Sequence, residues 1–337
     1  MKKHKLLVLP RIVVENAGAM PSSYTVGFPA VSSFLGAVHA LERRLGKIPL
    51  LEQFEAGGTA IVSHSFHLKS YKEDSMYYAK TMLARKPLVR TGKGIVGAPF
   101  IPDVKCDMEV TLVVDFSGVD MDDHDSLIQH AEQQMLGGMK LAGGDIFSMD
   151  TPYLAKIIDE CDAKSFKRSL MPGYILQDRS SLIAELMEDT GCDAMEAVLD
   201  YVSVKNRSEL VQNVENATSL LADVDAFLPE ENTGSDQVAG FSSDDGCDDK
   251  KVVWKSRRKN KGWMVPITSG FQAVSPVYAP GETVKARDTS CPHVFCEAVV
   301  TLGEFITPVR VGPIGDMLWQ YHHDTENNLY MCQQASK

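Results

Sequence analysis

The first 150 residues switch between two hydrophobic periods, and the order of the switches restricts the fold more than any other feature. Lys5–Glu15 is an apolar run rich in Leu, Val and Ile, as a buried strand requires. After a turn at Gly27-Phe-Pro29, Val31–Leu45 changes to the helical period. Its apolar stripe is Val31, Phe34, Leu35, Val38, Leu41 and Leu45, and Gly46 stops it. Ala60–Leu68 and Met108–Phe116 read as strands, and Ser126–Leu141 as a second helix ending at Gly143-Gly144. A closing strand gives the series strand, helix, strand, strand, helix, strand. That is the order of an antiparallel, ferredoxin-like sheet.

The rest of the chain elaborates this α+β body. Arg85–Asp107 is dense in Gly, Pro, Lys and Arg, as a protruding hairpin or loop would be. Residues 179–222 read as mostly helical, with segments Ser181–Glu188, Ala194–Val202 and Ser208–Leu221. The C-terminal third returns to short strands with Pro and Gly turns. The predicted divisions are a core over 1–150 with its excursion at about 85–107, a mainly helical insertion at 151–222, an acidic linker or loop at 223–249, and a β-rich segment at 250–337 that completes the core. No internal repeat is visible. No apolar run approaches the roughly 18–20 residues needed to span a bilayer, so no membrane partner is expected. Leu6–Leu9 resembles the start of a signal peptide, but Pro10 and Arg11 end it too early. Seven cysteines without a small secreted framework fit reduced thiols in a cytoplasm.

Charge is segregated along the chain. The formal net charge of −11 argues on average against a nucleic-acid partner, but an average says little about local fields. Residues 222–249 hold nine acids and no Lys or Arg, whereas residues 250–261 hold seven bases and no acid. Val252-Val-Trp254 and Trp263-Met-Val265 lie on either side of the Arg257-Arg-Lys-Asn-Lys-Gly262 run and read as two strands joined by a basic turn. A smaller acidic knot, Asp120–Asp125, precedes the second helix and is expected to cap its N-terminus.

Motifs for catalysis are weak throughout. Cys291, His293 and Cys296, with His322, His323 and Cys332, are soft-metal ligand types, but a structural zinc site usually shows two tight pairs. His124-Asp125 has no matching ligand set for a metal phosphohydrolase and fits a helix cap better. No nucleophile elbow, Walker loop or dinucleotide fingerprint occurs. Neither a metal nor another cofactor is implied. Cationic groups are better represented. Arg85, Lys86, Arg90 and Lys93 lie in the Gly/Pro-rich excursion, and Arg257, Arg258, Lys259 and Lys261 lie between two tryptophans. Such cations suit phosphates, and exposed aromatics suit splayed bases; a solvated face and core tryptophans account for the same residues. His39, on the apolar side of the first helix, is expected in the core, and Arg43 and Arg44 oppose that helix's dipole.

A resemblance narrows the choice. The opening Leu6-Leu-Val-Leu-Pro-Arg11-Ile-Val-Val-Glu-Asn16-Ala, Gly27-Phe-Pro29 and Phe34-Leu-Gly36-Ala-Val-His39-Ala-Leu-Glu-Arg43-Arg44 resemble the second subunits of the Csy complex, the type I-F CRISPR surveillance assembly. Lys140-Leu-Ala-Gly143-Gly144, Pro172-Gly173-Tyr174, Val265-Pro-Ile-Thr-Ser-Gly270-Phe-Gln, Arg287 to Glu297 and Leu302 to Arg310 agree in order. The acidic tract at 222–249 fits none of these blocks.

The resemblance implies a RAMP-superfamily protein with an RRM-like core, a helical insertion and a thumb. It further implies a non-catalytic, cytoplasmic subunit for antiviral defence. Such a subunit binds the 5′ handle of the CRISPR RNA, pairs with the large subunit at the tail of the complex and abuts a backbone subunit. Arg11, Asn16, His293 and Arg310 fall within the matching blocks and become candidate RNA contacts. Arg85, Lys86, Arg90 and Lys93 would sit on the thumb. Arg257, Arg258, Lys259 and Lys261 would meet the RNA handle, incoming double-stranded DNA or a neighbouring subunit. Two alternatives stay open: a RAMP endoribonuclease that processes precursor RNA with His293 as general base, and a protein adaptor without RNA contact.

Overall fold

The computed structural model describes residues 3–73, 79–81, 88–92, 94–97, 104–203, 205–208, 252–255, 262–286 and 288–334. The chain begins with β1 (His4–Gly18), α1 (Val31–Leu45) and β2 (Glu55–Leu68). Two small ribbons follow, β3 (Ser70–Tyr71) with β4 (Lys80–Thr81) and β5 (Leu88–Thr91) with β6 (Gly94–Gly97). Next come β7 (Lys105–Ser117), α2 (His124–Leu136), β8 (Lys140–Leu141), β9 (Gly144–Ser148) and β10 (Tyr153–Ile157). After them lie α3 (Glu160–Ser169), β11 (Tyr174–Asp178), α4 (Ser180–Thr190) and α5 (Ala194–Val202). The strands β12 (Lys205–Ser208), β13 (Val252–Lys255), β14 (Trp263–Ala273), β15 (Cys296–Ile306), β16 (Trp319–Asp324) and β17 (Leu329–Gln334) complete the order.

The result is a mixed α+β chain built on one large antiparallel sheet. At its centre β9 and β10 pair with β1, β1 with β7, and β7 with β2. Beyond β2 the sheet continues through β11 and β16 to β15, β14 and β17.

The two faces of the centre are covered differently, and strand composition shows why. Leu7, Leu9, Ile12, Val14 and Ala17 of β1 alternate toward one face. There they join Ile61, Met108, Val110, Leu112 and Val114 under Phe34, Leu41 and Leu45 of α1 and Leu127 and Met135 of α2. Full burial of such a side chain contributes about 1.5–3 kcal/mol. The opposite face is sealed over only half its length. Leu6, Val8, Ala60, Val62 and Val113 pack there against Ala163, Phe166 and Leu170 of α3 and against Ile314, Met317 and Leu318. Continuous apolar runs at Leu6–Leu9, Ala60–Val62 and Leu112–Val114 mark the half buried on both sides. Where the runs give way to alternation, at Val13–Asn16, Ser65–Lys69 and Asp107–Thr111, the second face carries polar groups.

Several details depart from the sequence reading. The second helix stops at Gly137-Gly138, where Gly138 has φ +120°, so Leu141 belongs to β8. The acidic knot forms a 3₁₀ turn at Met121–Asp123, and Asp123 makes no side-chain capping hydrogen bond. The 151–222 stretch contributes β10 and β11 to the large sheet besides its helices, and Ser208, expected in a helix, ends β12. Residues 209–221 lie outside the described residues. Both strands expected around the basic stretch are present, and they take different partners: β13 pairs with β12, whereas β14 pairs with β15 and β17. Chain contacts divide into two units, Met1–Val198 with Asn260–Lys337, and Leu199–Lys259, so β13 and β14 fall in different units. His39 is exposed and paired with Glu42 at 3.0 Å rather than in the core, because it lies just outside the stripe through Val38 and Leu41.

Candidate nucleic-acid interface

The open half of the sheet face is shaped by bulges. Between Leu9 and Ile12, β1 carries one more residue than β7, so Pro10 and Arg11 oppose the single residue Thr111. Between Val14 and Ala17 the same occurs, with Glu15 and Asn16 opposite Asp107. Arg11 and Asn16 take up the extra length in the left-handed region, at φ 51° and 57°. For a non-glycine residue that conformation is costly unless its surroundings fix it. Side chains of β7 supply the fixing. The Arg11 backbone N–H donates to Thr111 Oγ1 at 3.0 Å, and the Asn16 N–H donates to Asp107 Oδ1 at 2.9 Å. β2 bulges at the same level, where His64 is the extra residue between Ser63 and Ser65. On the other side of β1, β9 bulges between its pairings to Val13 and Val14, and Phe147 is the extra residue. Gly144 lets β9 come this close, since a Cβ there would lie 2.7 Å from Glu15 O and Ala17 N.

The charged groups on this face hold one another. Arg11 Nη1 donates to Glu109 Oε1 at 2.8 Å, with both side chains about one-third exposed. Lys69 Nζ bridges Asn16 Oδ1 at 2.6 Å and Asp107 Oδ1 at 3.0 Å. Burial alone would raise the Asp107 carboxyl, but the Asn16 N–H and the Lys69 ammonium outweigh it and hold it below the usual range. Phe147 is 74% exposed. The sheet thus carries Arg11 and Lys69, each paired with a carboxylate of β7, and an exposed aromatic ring at the β9 bulge.

The remaining sequence candidates are dispersed. Arg310 is exposed at the end of a 3₁₀ turn, Pro308–Arg310, beside a cleft of about 360 Å³ also lined by Asp178, Arg179, Ser180 and Gln334. Burial pushes the Asp178 carboxyl up, and the buried Glu304 carboxylate pairs with Arg179, so acids offset the cleft's cations. His293 is half-buried and bridges Tyr278 through two backbone hydrogen bonds of 2.7 and 3.0 Å. Arg90 is exposed on the β5–β6 hairpin, opposite Ile95. Arg85, Lys86, Lys93, Arg257, Arg258, Lys259 and Lys261 lie outside the described residues. Arg11 and Asn16 thus occupy two successive bulges of β1, each held by its own partners on β7, while His293, Arg310 and Arg90 lie on other elements. Among those residues no group of three or more His, Cys, Asp or Glu could hold a metal ion. Trp263 is exposed, and no described helix is long and apolar enough to cross a membrane.

Sequence reasoning did not single out His64, Lys69, Asp107, Glu109, Thr111 or Phe147. One signal was present for the bulge itself. Pro10 cannot donate to a ladder, and a proline inside a central strand pattern marks a bulge.

Fold and face together define a mixed α+β protein built on a large antiparallel sheet, with one face of its centre covered by helices and the reverse side half-open. The CRISPR-associated protein (Cas_Csy2) family profile matches residues 7–332. CRISPR-associated protein Csy2 of Pseudomonas aeruginosa (strain UCBPP-PA14) is 32% identical over 338 residues, covering 96% of this chain and 94% of the relative. The chain belongs to the Csy2 family, the second subunits of the type I-F Csy complex.

Proposed function

We propose that the chain is a non-catalytic RNA-binding subunit of the type I-F surveillance complex. It holds the 5′ handle of the CRISPR RNA on the open half of its central sheet face. The observation that carries this reading is the pair of left-handed bulges at Arg11 and Asn16, with the Lys69 ammonium on the Asn16 side chain. The antiparallel order β9/β10, β1, β7, β2, with both first helices on one face, supports an RRM-like core of the RAMP type. In that reading 1–150 is the core with its thumb at about 85–107, 151–222 the insertion, 223–249 an acidic loop and 250–337 the completing segment. Arg85, Lys86, Arg90 and Lys93 act from the thumb. Arg257, Arg258, Lys259 and Lys261 meet handle RNA, target duplex DNA or a neighbouring subunit. His293 and Arg310 supply further contacts. The large subunit and a backbone subunit are its protein partners, and the cytoplasm is its compartment.

The test is incubation of the purified chain, alone and with the large subunit, with labelled repeat RNA. Retention of intact RNA is expected. Sequence-specific cleavage that disappears in His293→Ala would make the protein a processing nuclease instead. A complex that assembles without retaining RNA would leave only a protein adaptor.

A further inference from the structure

His64 is the bulged residue of β2, and both of its ring nitrogens are engaged. Nδ1 lies 2.5 Å from Pro172 O, and Nε2 lies 2.7 Å from Thr111 Oγ1. A carbonyl oxygen only accepts, so Nδ1 carries a proton, and in the neutral ring Nε2 is left as an acceptor. Thr111 must then donate its hydroxyl hydrogen to Nε2. Its oxygen also accepts the Arg11 backbone N–H at 3.0 Å. Every donor and acceptor direction is fixed, from the β1 bulge through β7 and β2 to the turn at Pro172. Gly173 closes that turn against the ring, since a Cβ there would lie 2.8 Å from His64 Nδ1 and 2.8 Å from Leu170 O.

We propose that His64 is a positioning residue for RNA binding: as a neutral imidazole it carries a one-way hydrogen-bond chain that locks the left-handed bulge presenting Arg11. This rests on the reading of the face as the RNA site. Protonation puts a hydrogen on Nε2, so the Thr111 oxygen must accept from both His64 and Arg11, and its own buried hydroxyl hydrogen loses the Nε2 acceptor, which weakens the chain. Burial disfavours the imidazolium and lowers the pKa; the Pro172 carbonyl opposes this, the Arg11 guanidinium adds to it and the Glu109 carboxylate opposes it. Arg11 and Glu109 are the charged groups that act on the ring. With the folded value below the ordinary value of about 6.5, the chain is intact above that pH and is lost as pH falls through the folded value.

The experiment titrates the assembled complex with a fluorescein-labelled single-stranded RNA carrying the 5′ segment of the CRISPR repeat, between about pH 8 and about pH 5.5. Wild-type affinity is expected to fall about tenfold on the acid side, the size of one misplaced contact. Thr111→Val is expected to start about tenfold weaker and to lose the acid limb, and Thr111→Ser to restore both. His64→Asn, which keeps a donor toward Pro172 but no Nε2, is expected to be pH-flat. A Thr111→Val complex with wild-type affinity and an unchanged acid limb would overturn the proposal. Arg11→Ala serves as the separate control: no effect on RNA affinity would remove the RNA reading of the face. Nitrogen-15 NMR of His64 in the full chain then reads the lock by itself. An Nδ1–H tautomer titrating below the ordinary histidine value supports it, and an Nε2–H tautomer or ordinary titration contradicts it.

Discussion

Replacing Arg11 by glutamate is expected to weaken CRISPR-RNA binding by roughly a hundredfold while changing stability by less than about 1 kcal/mol. The two effects separate because they come from different parts of the residue. The guanidinium is partly exposed and its ion pair with Glu109 is of the kind that contributes little to folding. In the proposed RNA contact, the same guanidinium supplies charge and donors from a fixed backbone position. A glutamate there removes that contact and sets a second carboxylate beside Glu109, so the local field turns repulsive to phosphate. Arg11→Gly sharpens the test. Glycine adopts φ 51° without steric cost, so the variant should be as stable as wild type or slightly more so, yet bind RNA more weakly. Filter binding against salt, alongside urea denaturation, reads both quantities. Equal RNA affinity in all three proteins would remove Arg11 from the site.

The second large effect is in the core. Trp319→Ala is expected to destabilise the chain by about 3–5 kcal/mol. Trp319 is fully buried at the start of β16, opposite Thr59 of β2 and Gln334 of β17, in the cluster that α1 and α2 cover. Its indole N–H donates to Leu176 O of β11 at 3.0 Å, so one side chain ties the C-terminal strands to β11. Leu176 O also accepts from Gln334 Nε2 at 3.2 Å and would keep a partner. Trp319→Phe should therefore cost less, roughly 1–2 kcal/mol, because most of the apolar volume remains. Circular dichroism during urea unfolding measures both, and a Trp319→Ala midpoint equal to wild type would contradict this placement.

What the sequence made legible is the periodicity, and what it hid is register. α1 runs from Val31 to Leu45, the span its apolar stripe marks, because a 3.6 period and a following glycine are local signals. The half-open sheet face is written in the strands as continuous runs, Leu6–Leu9 and Leu112–Val114, turning to alternation. Arg11 and Asn16 become candidates through the blocks that resemble the Csy second subunits, not through periodicity. His64, Thr111 and Asp107 do not, since a polar residue in a strand gains its role only from the residue opposite it. That pairing spans 47 positions for His64 and Thr111, and 91 for Asn16 and Asp107. Nonlocal pairing also placed β13 against β12, a partner that no local signal names. The helix expected to reach Leu141 failed on a competition between two glycine pairs. Gly137-Gly138 comes first and ends it.

Crosslink mapping tests the RNA face most directly. The assembled complex is reconstituted with CRISPR RNA carrying thiouridine in the 5′ handle, irradiated, digested and read by mass spectrometry. Adducts are expected on the bulge-bearing strands, on peptides containing Arg11–Asn16, His64–Lys69 and Asp107–Thr111. Handle adducts confined to other segments of the chain, or to other subunits alone, would contradict the assignment of this face.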